Sequence, residues 1–255
     1  MTLQRLMEAD RFAALADIHG NRWALESVLD VLVQRGIDHA VNLGDTFYGP
    51  LDPAGCLTLL ETYAWPTVMG NQDRLLLEPA GSNAAASAAF VRDELGPAGL
   101  DWLRRVARPT HDSPGLLLCH GTPWRDDAYL VEQVERDGVR IRSPQELDDV
   151  LGACRRPLVL CGHSHVQRLA LSAAGAVIVN PGSVGLPAFC DDLPYVHRME
   201  SGSTDARFAI LTRAGTEWQV EHVAIPYDVA AAVQAARSRG RDDWAGWLQT
   251  GWAQS

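Results

Sequence analysis

Seven residues of types that bind divalent cations fall in short clusters along the chain: Asp17-Ile-His19, Asp45, Asn71, His120 and His163-Ser-His165. In Asp17-x-His19 the two side chains stand at i and i+2. On an extended backbone that spacing puts them on one side, within reach of a single cation. His163-x-His165 repeats the spacing with two imidazoles. Asp45 adds a carboxylate whose two oxygens could bridge two metals, Asn71 a neutral amide oxygen, and His120 a further imidazole. This mixed nitrogen and oxygen set suits Mn²⁺, Fe, Zn²⁺ or Ni²⁺ better than Ca²⁺, which prefers shells made of oxygen alone. A lone Asp-x-His is usually an ordinary loop pair, and a His-x-His can be a satisfied polar edge. Five such clusters in one chain, each at the end of an apolar run, together define a metal site.

The elements that must position these residues share one pattern, a short apolar run that ends abruptly in a polar cluster. Residues 12–16 run into Asp17, 40–43 into Gly44-Asp45, and 67–69 into Gly70-Asn71. Residues 116–119 run into His120, 158–161 into Gly162-His163, and 176–179 into Asn180. Short runs bounded by glycines and polar residues read as buried strands, and six of them ending in chemistry place one site along the carboxyl edge of an α/β sheet.

Helices are expected between the strands. Leu25, Val28, Leu29 and Leu32 give residues 21–35 a helical face, with Gly36 as a stop. Asp52-Pro53 reads as an N-cap followed by proline at the first helical position, opening a helix through Leu60. Ser143-Pro-Gln-Glu146 is a capping box. Residues 84–107 read as two helices split at Gly96-Pro97. Residues 207–212 and 217–225 read as a hairpin, and Asp228 as the cap of a helix ending near Gly240. No repeat or linker is visible, so residues 1–255 read as one domain with a helical tail over about 228–255. Strand–helix alternation in the first half implies parallel pairing, while strand–turn–strand pairs dominate from about residue 158. Two sheets packed face to face with helices outside accommodate both halves.

Composition narrows the partners. The apolar fraction of 47% indicates a globular chain, and the net charge of 22 − 32 = −10 argues against a long nucleic acid held by counterion release. It does not argue against a small phosphorylated ligand, because bound cations reverse the local sign of a pocket. The five cysteines are odd in number, with no C-x-x-C pair, and point to a reducing compartment. With no signal-like N-terminus and no apolar run of membrane length, the cytoplasm is the expected location, with no membrane partner.

The ordered set Asp17-Ile-His19-Gly-Asn21, Gly44-Asp45, Gly70-Asn71-Gln-Asp73, Cys119-His120-Gly121 and Gly162-His163-Ser-His165 resembles the calcineurin-like metallophosphoesterase superfamily. It is most similar to the small prokaryotic phosphodiesterase-like branch, over about residues 10–240. The resemblance implies a four-layer α/β/β/α sandwich of two mixed sheets with a dinuclear site at the strand edges. It assigns Asp17, His19, Asp45 and His165 to one metal, and Asp45 (bridging), Asn71, His120 and His163 to the other. Manganese is the expected metal, with Fe, Zn, Ni or Mg as alternatives. Two such cations polarise a phosphoryl oxygen, lower the pKa of a bridging water and align it with phosphorus, so a phosphoester would be cleaved by direct attack. Members that dephosphorylate proteins continue Gly-Asp into Asp-Arg-Gly. Here Thr46-Phe-Tyr-Gly-Pro50 follows and reads as a wall of the substrate pocket, with Tyr48 and Tyr129 as candidate linings.

Catalytic roles are expected for Asn71, His120 and Asp73, the last by orienting a ligand or the water. Asn21, Arg22, Gln72 and Arg74 are expected to touch substrate, with Arg125 a further candidate phosphate clamp. Gln72 stands where many relatives carry a histidine thought to protonate the leaving oxygen, and an amide cannot act as an acid near neutral pH. His39, His111, His197 and His222 belong to no cluster. Trp244, Trp247 and Trp252 share a face if the tail is helical, although Gly246 and Gly251 weaken that helix. Such a face would dock on the domain or on a second copy in a homo-oligomer, in preference to stacking on bases. The leading expectation is a hydrolase of small phosphodiesters. The alternatives are a small-molecule phosphomonoesterase and a metal-bearing scaffold of the same fold.

Overall fold

Alternate side chains of the first strand enter two different cores. Phe12, Ala14 and Ala16 belong to one apolar cluster, Ala13 and Leu15 to another, as the twofold period of an extended chain requires. The computed structural model of the chain describes residues 3–78 and 86–253. In chain order its first half comprises α1 (Leu3–Glu8), β1 (Arg11–Leu15), α2 (Arg22–Gln34), β2 (Ala40–Asn42), α3 (Pro53–Leu60), β3 (Thr67–Val68), α4 (Asn71–Leu77) and α5 (Ala86–Val106). Then follow β4 (Ala107–Arg108), β5 (Thr110–Ser113), β6 (Leu116–Cys119), the hairpin β7 (Glu132–Glu135) and β8 (Gly138–Ile141), and α6 (Pro144–Leu151). The remainder is β9 (Leu158–Leu160), β10 (Arg168–Leu171), β11 (Val177–Asn180), β12 (Ala188–Asp191), β13 (His197–Glu200), β14 (Ala206–Ala214), β15 (Glu217–Ile225), α7 (Val229–Ser238) and α8 (Asp242–Thr250).

Two mixed sheets result. The first has the order β15-β14-β1-β2-β3-β4, with β1 to β4 parallel, β14 antiparallel to β1, and β15 antiparallel to β14. The second has the order β10-β11-β9-β6-β5, parallel in its centre and antiparallel at both edges. Three apolar layers prove the sandwich. Phe12, Val41, Leu43, Leu116, Leu118 and Leu160 meet between the sheets. Leu15, Leu25, Val28 and Leu103 fill the space between the first sheet and α2 and α5. Leu117, Leu147, Leu151 and Val159 do the same beneath α6. Helix, sheet, sheet and helix are thus stacked as expected.

Local signals have the predicted effects. Asp52 caps α3 through Gly55 N, and Ser143 and Glu146 complete the capping box of α6. Gly96 takes φ 58 and interrupts α5 at the predicted split; residues 84 and 85 lie outside the described span. The tail differs from expectation. A second helix, α8, passes through Gly246 and stops at left-handed Gly251, because burial of Trp244, Ala245 and Leu248 against α7 outweighs the glycine's poor propensity. Trp252 lies beyond that stop and is exposed, so it does not share the face of Trp244 and Trp247. Among the described residues no helix is long and apolar enough to cross a membrane.

Candidate metal centre

Loops at the carboxyl ends of β1, β2 and β3 in one sheet, and of β6 and β9 in the other, carry the seven predicted ligands to one place. The backbone does this by an unexpected route. Asp17 (φ 54), His19 (φ 54), Asp45 (φ 52), His163 (φ 70) and His165 (φ 60) all adopt the left-handed conformation. They are the only non-glycine residues to do so among the described residues. Asp17 and His19 therefore converge through a turn, not through the extended spacing that the sequence suggests. Left-handed backbone at a non-glycine residue costs about 1–3 kcal/mol, and five such residues in one site mark strain retained for the site's geometry.

The side chains fall into two groups, Asp17 with His19 and His165, and Asp45 with His120 and His163; within each, the ligand atoms lie within 4.8 Å of one another. His163 and His165, two residues apart, thus serve different groups. The groups adjoin: His120 Nε2 lies 3.5 Å from Asp45 Oδ2 and 3.9 Å from Asp17 Oδ1. Asn71, the first residue of α4, brings its Oδ1 to 3.1 Å from His120 Nε2.

The imidazole tautomers are set by the backbone. His19 Nδ1 donates to Tyr48 O at 2.9 Å, His120 Nδ1 to Leu43 O at 2.8 Å, and His165 Nδ1 to Leu186 O at 2.7 Å. A carbonyl only accepts, so each Nδ1 carries a hydrogen and each Nε2 is turned into the cluster, where the neutral rings of His19 and His165 present a lone pair. The His19 and His165 Nε2 atoms consequently face each other at 3.0 Å with no proton to share, an arrangement that a common cation resolves. Carbonyl-oriented imidazoles beside carboxylates are the donor set that divalent transition metals select. The residues fit a pair of metals.

Electrostatics agree. Burial depresses the imidazoles of His19 and His165, and burial together with the neighbouring His120 takes His163 down to about 3, so these rings are neutral. Burial acts on His120 in the same sense, but the carboxylates of Asp45 and Asp17 overturn it and lift that imidazole to about 10. Burial would raise Asp45 too, yet His120 beside it prevails and holds it low. Asp17 is pushed well above the ordinary carboxylate range by burial, with His120 opposing and Asp45 adding to the rise. Without cations the cluster keeps its acidic charges balanced with protons.

Close backbone approach completes the site. A Cβ on Gly44 would lie 2.6 Å from Gly70 N and 2.9 Å from His120 Nδ1, and φ there is +101, so only glycine lets the Asp45 and Asn71 loops abut. Asp73 ties the same loops together, accepting from Thr46 N at 2.9 Å and Gly70 N at 3.2 Å. It is fully buried, and burial with the Asp45 charge raises it to about 7. Asp73 thus positions the loops that carry Asp45 and Asn71, in keeping with the orienting role expected of it.

Two cavities open beside the cluster. One, of about 190 Å³, is lined by His19, Asp45, Asn71, Gln72, His163 and His165, with Tyr48, Phe189, Trp244 and Trp247 around them. The other, of about 520 Å³, is lined by Asn71 and His163 with Arg125, Tyr129, Gln133 and Arg142. Of the expected substrate residues, Gln72 and Arg125 reach these cavities. Asn21 does not: it is fully buried, caps α2 through Ala24 N, and donates to Gly185 O and to Tyr227 Oη. Arg22 lies against Asp52 at 2.9 Å and over the Trp23 ring, lining neither cavity. Arg74 is held by Asp126 and Glu78 and faces a separate groove beyond His120. Among residues the sequence did not assign to the site, Phe189, Asp191, Trp244, Trp247 and Arg241 line the smaller cavity. Only the Trp244/Trp247 spacing was a visible signal, and it could not say where that face docks.

A two-sheet sandwich with this ligand cluster at its carboxyl edge defines a metallophosphoesterase. The chain belongs to the calcineurin-like phosphoesterase superfamily, whose domain profile matches residues 11–200. It is similar to a metallophosphoesterase from Sphaerobacter thermophilus (22% identity, 95% of this chain and 99% of that one, TM-score 0.73). It is also similar to the hypothetical protein PH1004 from Pyrococcus horikoshii OT3 (18% identity, 94% and 98%, TM-score 0.72). The protein MJ0912 of Methanocaldococcus jannaschii is 22% identical over 259 residues, covering 94% of this chain and 97% of that protein.

Proposed function

We propose that the protein is a phosphodiesterase for small substrates that uses two divalent metal ions, manganese first among them. The observation that carries this reading is the set of carbonyl-locked imidazoles: His19, His120 and His165 each fix Nδ1 on a backbone carbonyl and turn Nε2 into the cluster formed with Asp17 and Asp45. When bound, the metal pair supplies Lewis acidity for a phosphoryl oxygen and an activated water. The chain's own residues do the rest. Asn71 and His120 stand at the join of the two groups, where a phosphoryl group can reach both.

A diester, not a monoester, suits the surroundings. Space lies on two sides of the cluster, one side for each ester arm. The cation in the smaller cavity, Arg241, already pairs with Asp243 at 2.7 Å and donates to Ser87 Oγ at 2.5 Å, so it is poorly placed to balance a second phosphate charge. The test compares bis(p-nitrophenyl) phosphate with p-nitrophenyl phosphate in Mn²⁺-, Zn²⁺- and Ni²⁺-loaded protein. Diester turnover exceeding monoester turnover is expected. Folded, metal-loaded protein that hydrolyses neither compound would refute the reading.

A further inference from the structure

The two cavities share Asn71, His163 and Asp191 and so meet at the ligand cluster, yet their walls differ in kind. The smaller, at about 190 Å³, holds the volume of about six waters at roughly 30 Å³ each, enough for one flat ring system. Its rings are braced on the ligands: Phe189 lies 4.5 Å from His165, and Trp244 meets His19 edge-on at 5.6 Å. Trp247 extends this wall 6.3 Å from Trp244 and is only half-buried, leaving part of its surface open to the cavity. The larger cavity, about 520 Å³, is of ordinary ligand-pocket size, and its wall mixes Tyr129, Val134 and Leu193 with Arg125, Gln133 and Arg142, without the cluster of tryptophans.

Both tryptophans belong to α8, which lies beyond residue 200, where the match to the family profile ends. The helix is anchored for this position: Trp244, Ala245 and Leu248 pack on α7, and Arg241 at its start reaches Ser87. Gln72, which also lines this cavity, has a buried amide Oε1 with no hydrogen-bond partner in the protein.

We infer that α8 makes the smaller cavity an aromatic subsite, taking a flat ring carried on one ester arm of the substrate, while the bulkier arm lies in the larger cavity. This rests on the phosphodiesterase reading for what the arms belong to. The physical basis is that rings favour offset or edge-on contact with other rings beyond the area they bury, and the wall already presents rings in such poses. The unpartnered Gln72 oxygen adds an acceptor for a donor on that arm.

Phenylphosphonate and methylphosphonate separate ring recognition from turnover, because their P–C bonds are not hydrolysed. Binding of each to Mn²⁺-loaded protein is measured by calorimetry in wild type, Trp247→Ala and Trp247→Phe. Wild type is expected to prefer the phenyl compound by about tenfold, Trp247→Phe to keep most of that preference, and Trp247→Ala to lose it. With bis(p-nitrophenyl) phosphate, Trp247→Ala is expected to raise KM more than it lowers kcat. No phenyl preference in wild type, or an undiminished preference in Trp247→Ala, overturns the inference even if diesters are hydrolysed. A Trp247-dependent preference in protein that hydrolyses no phosphoester sustains the subsite and refutes the phosphodiesterase reading instead.

Discussion

The strained ligand backbone makes an unusual prediction about which truncation of a ligand is least harmful. His165 sits at φ 60, whereas His120, an equally buried ligand, is absent from the residues with positive φ. Replacing either by alanine or glycine removes the ring, so the cavity left behind is nearly the same for both replacements at one position. What differs is the backbone. At His165 an alanine retains a left-handed penalty of about 1–2 kcal/mol that glycine lacks, while the looser unfolded chain costs glycine about 0.4–1 kcal/mol, leaving glycine ahead by about 0.5–1 kcal/mol. At His120 only the second effect operates, so alanine should lead by about 0.4–1 kcal/mol. The assay is urea unfolding of the four variants in chelator, which removes any contribution from bound metal, with comparison of midpoints at constant m-value. The expected result is a reversal of order between the two sites. Alanine ahead at both positions would refute the claim that the site stores backbone strain.

Three other outcomes follow from the site. Metal affinity should rise with pH through the neutral range: below about 10 the His120 imidazole holds a proton that must leave before Nε2 can ligate, so affinity should fall about tenfold for each unit of acidification, and calorimetry in buffers of different ionisation enthalpy should show proton release. Gly44→Ala should destabilise the fold by about 1–3 kcal/mol and weaken metal binding, since its Cβ would press on both Gly70 and His120; unchanged thermal unfolding and metal content would contradict the packing described. Gln72→His should flatten the dependence of rate on leaving-group pKa, with gains of up to about 10²–10⁴ for the poorest leaving groups, because general acid catalysis is worth that much where it is lacking. A shallow dependence already present in wild type would show that another residue donates the proton.

The ligand set was legible because its signal is local. Each cluster opens within a residue or two of an apolar run, and glycine stands beside most of the ligands, so chain order brought the set into view. The same held for caps and breaks such as Asp52, Ser143 and Gly96. What could not be read was how each side chain's competitors are placed. Arg22 and Arg74 follow the motifs closely enough to reach a phosphate, but Asp52 and Asp126 capture them, and those carboxylates become neighbours only in the folded chain. Asn21 and Asp73 carry groups fit for chemistry, yet the structure spends them on holding loops. The aromatic wall lay hidden for a similar reason: helical spacing shows that Trp244 and Trp247 share a face, and tertiary packing decides what that face meets.

Each ligand group draws on both sheets. Asp17 and His19 leave the first sheet and His165 the second, while Asp45 from the first meets His120 and His163 from the second, so both halves of the site straddle the seam of the sandwich. His19 and His165 are separated by 146 residues, and neither group is whole until the chain has been made past residue 163. A nascent chain therefore offers no finished chelating group while only β1 to β4 of the first sheet have been made. Once the sheets have met, a cation in either group clasps one to the other at the open edge.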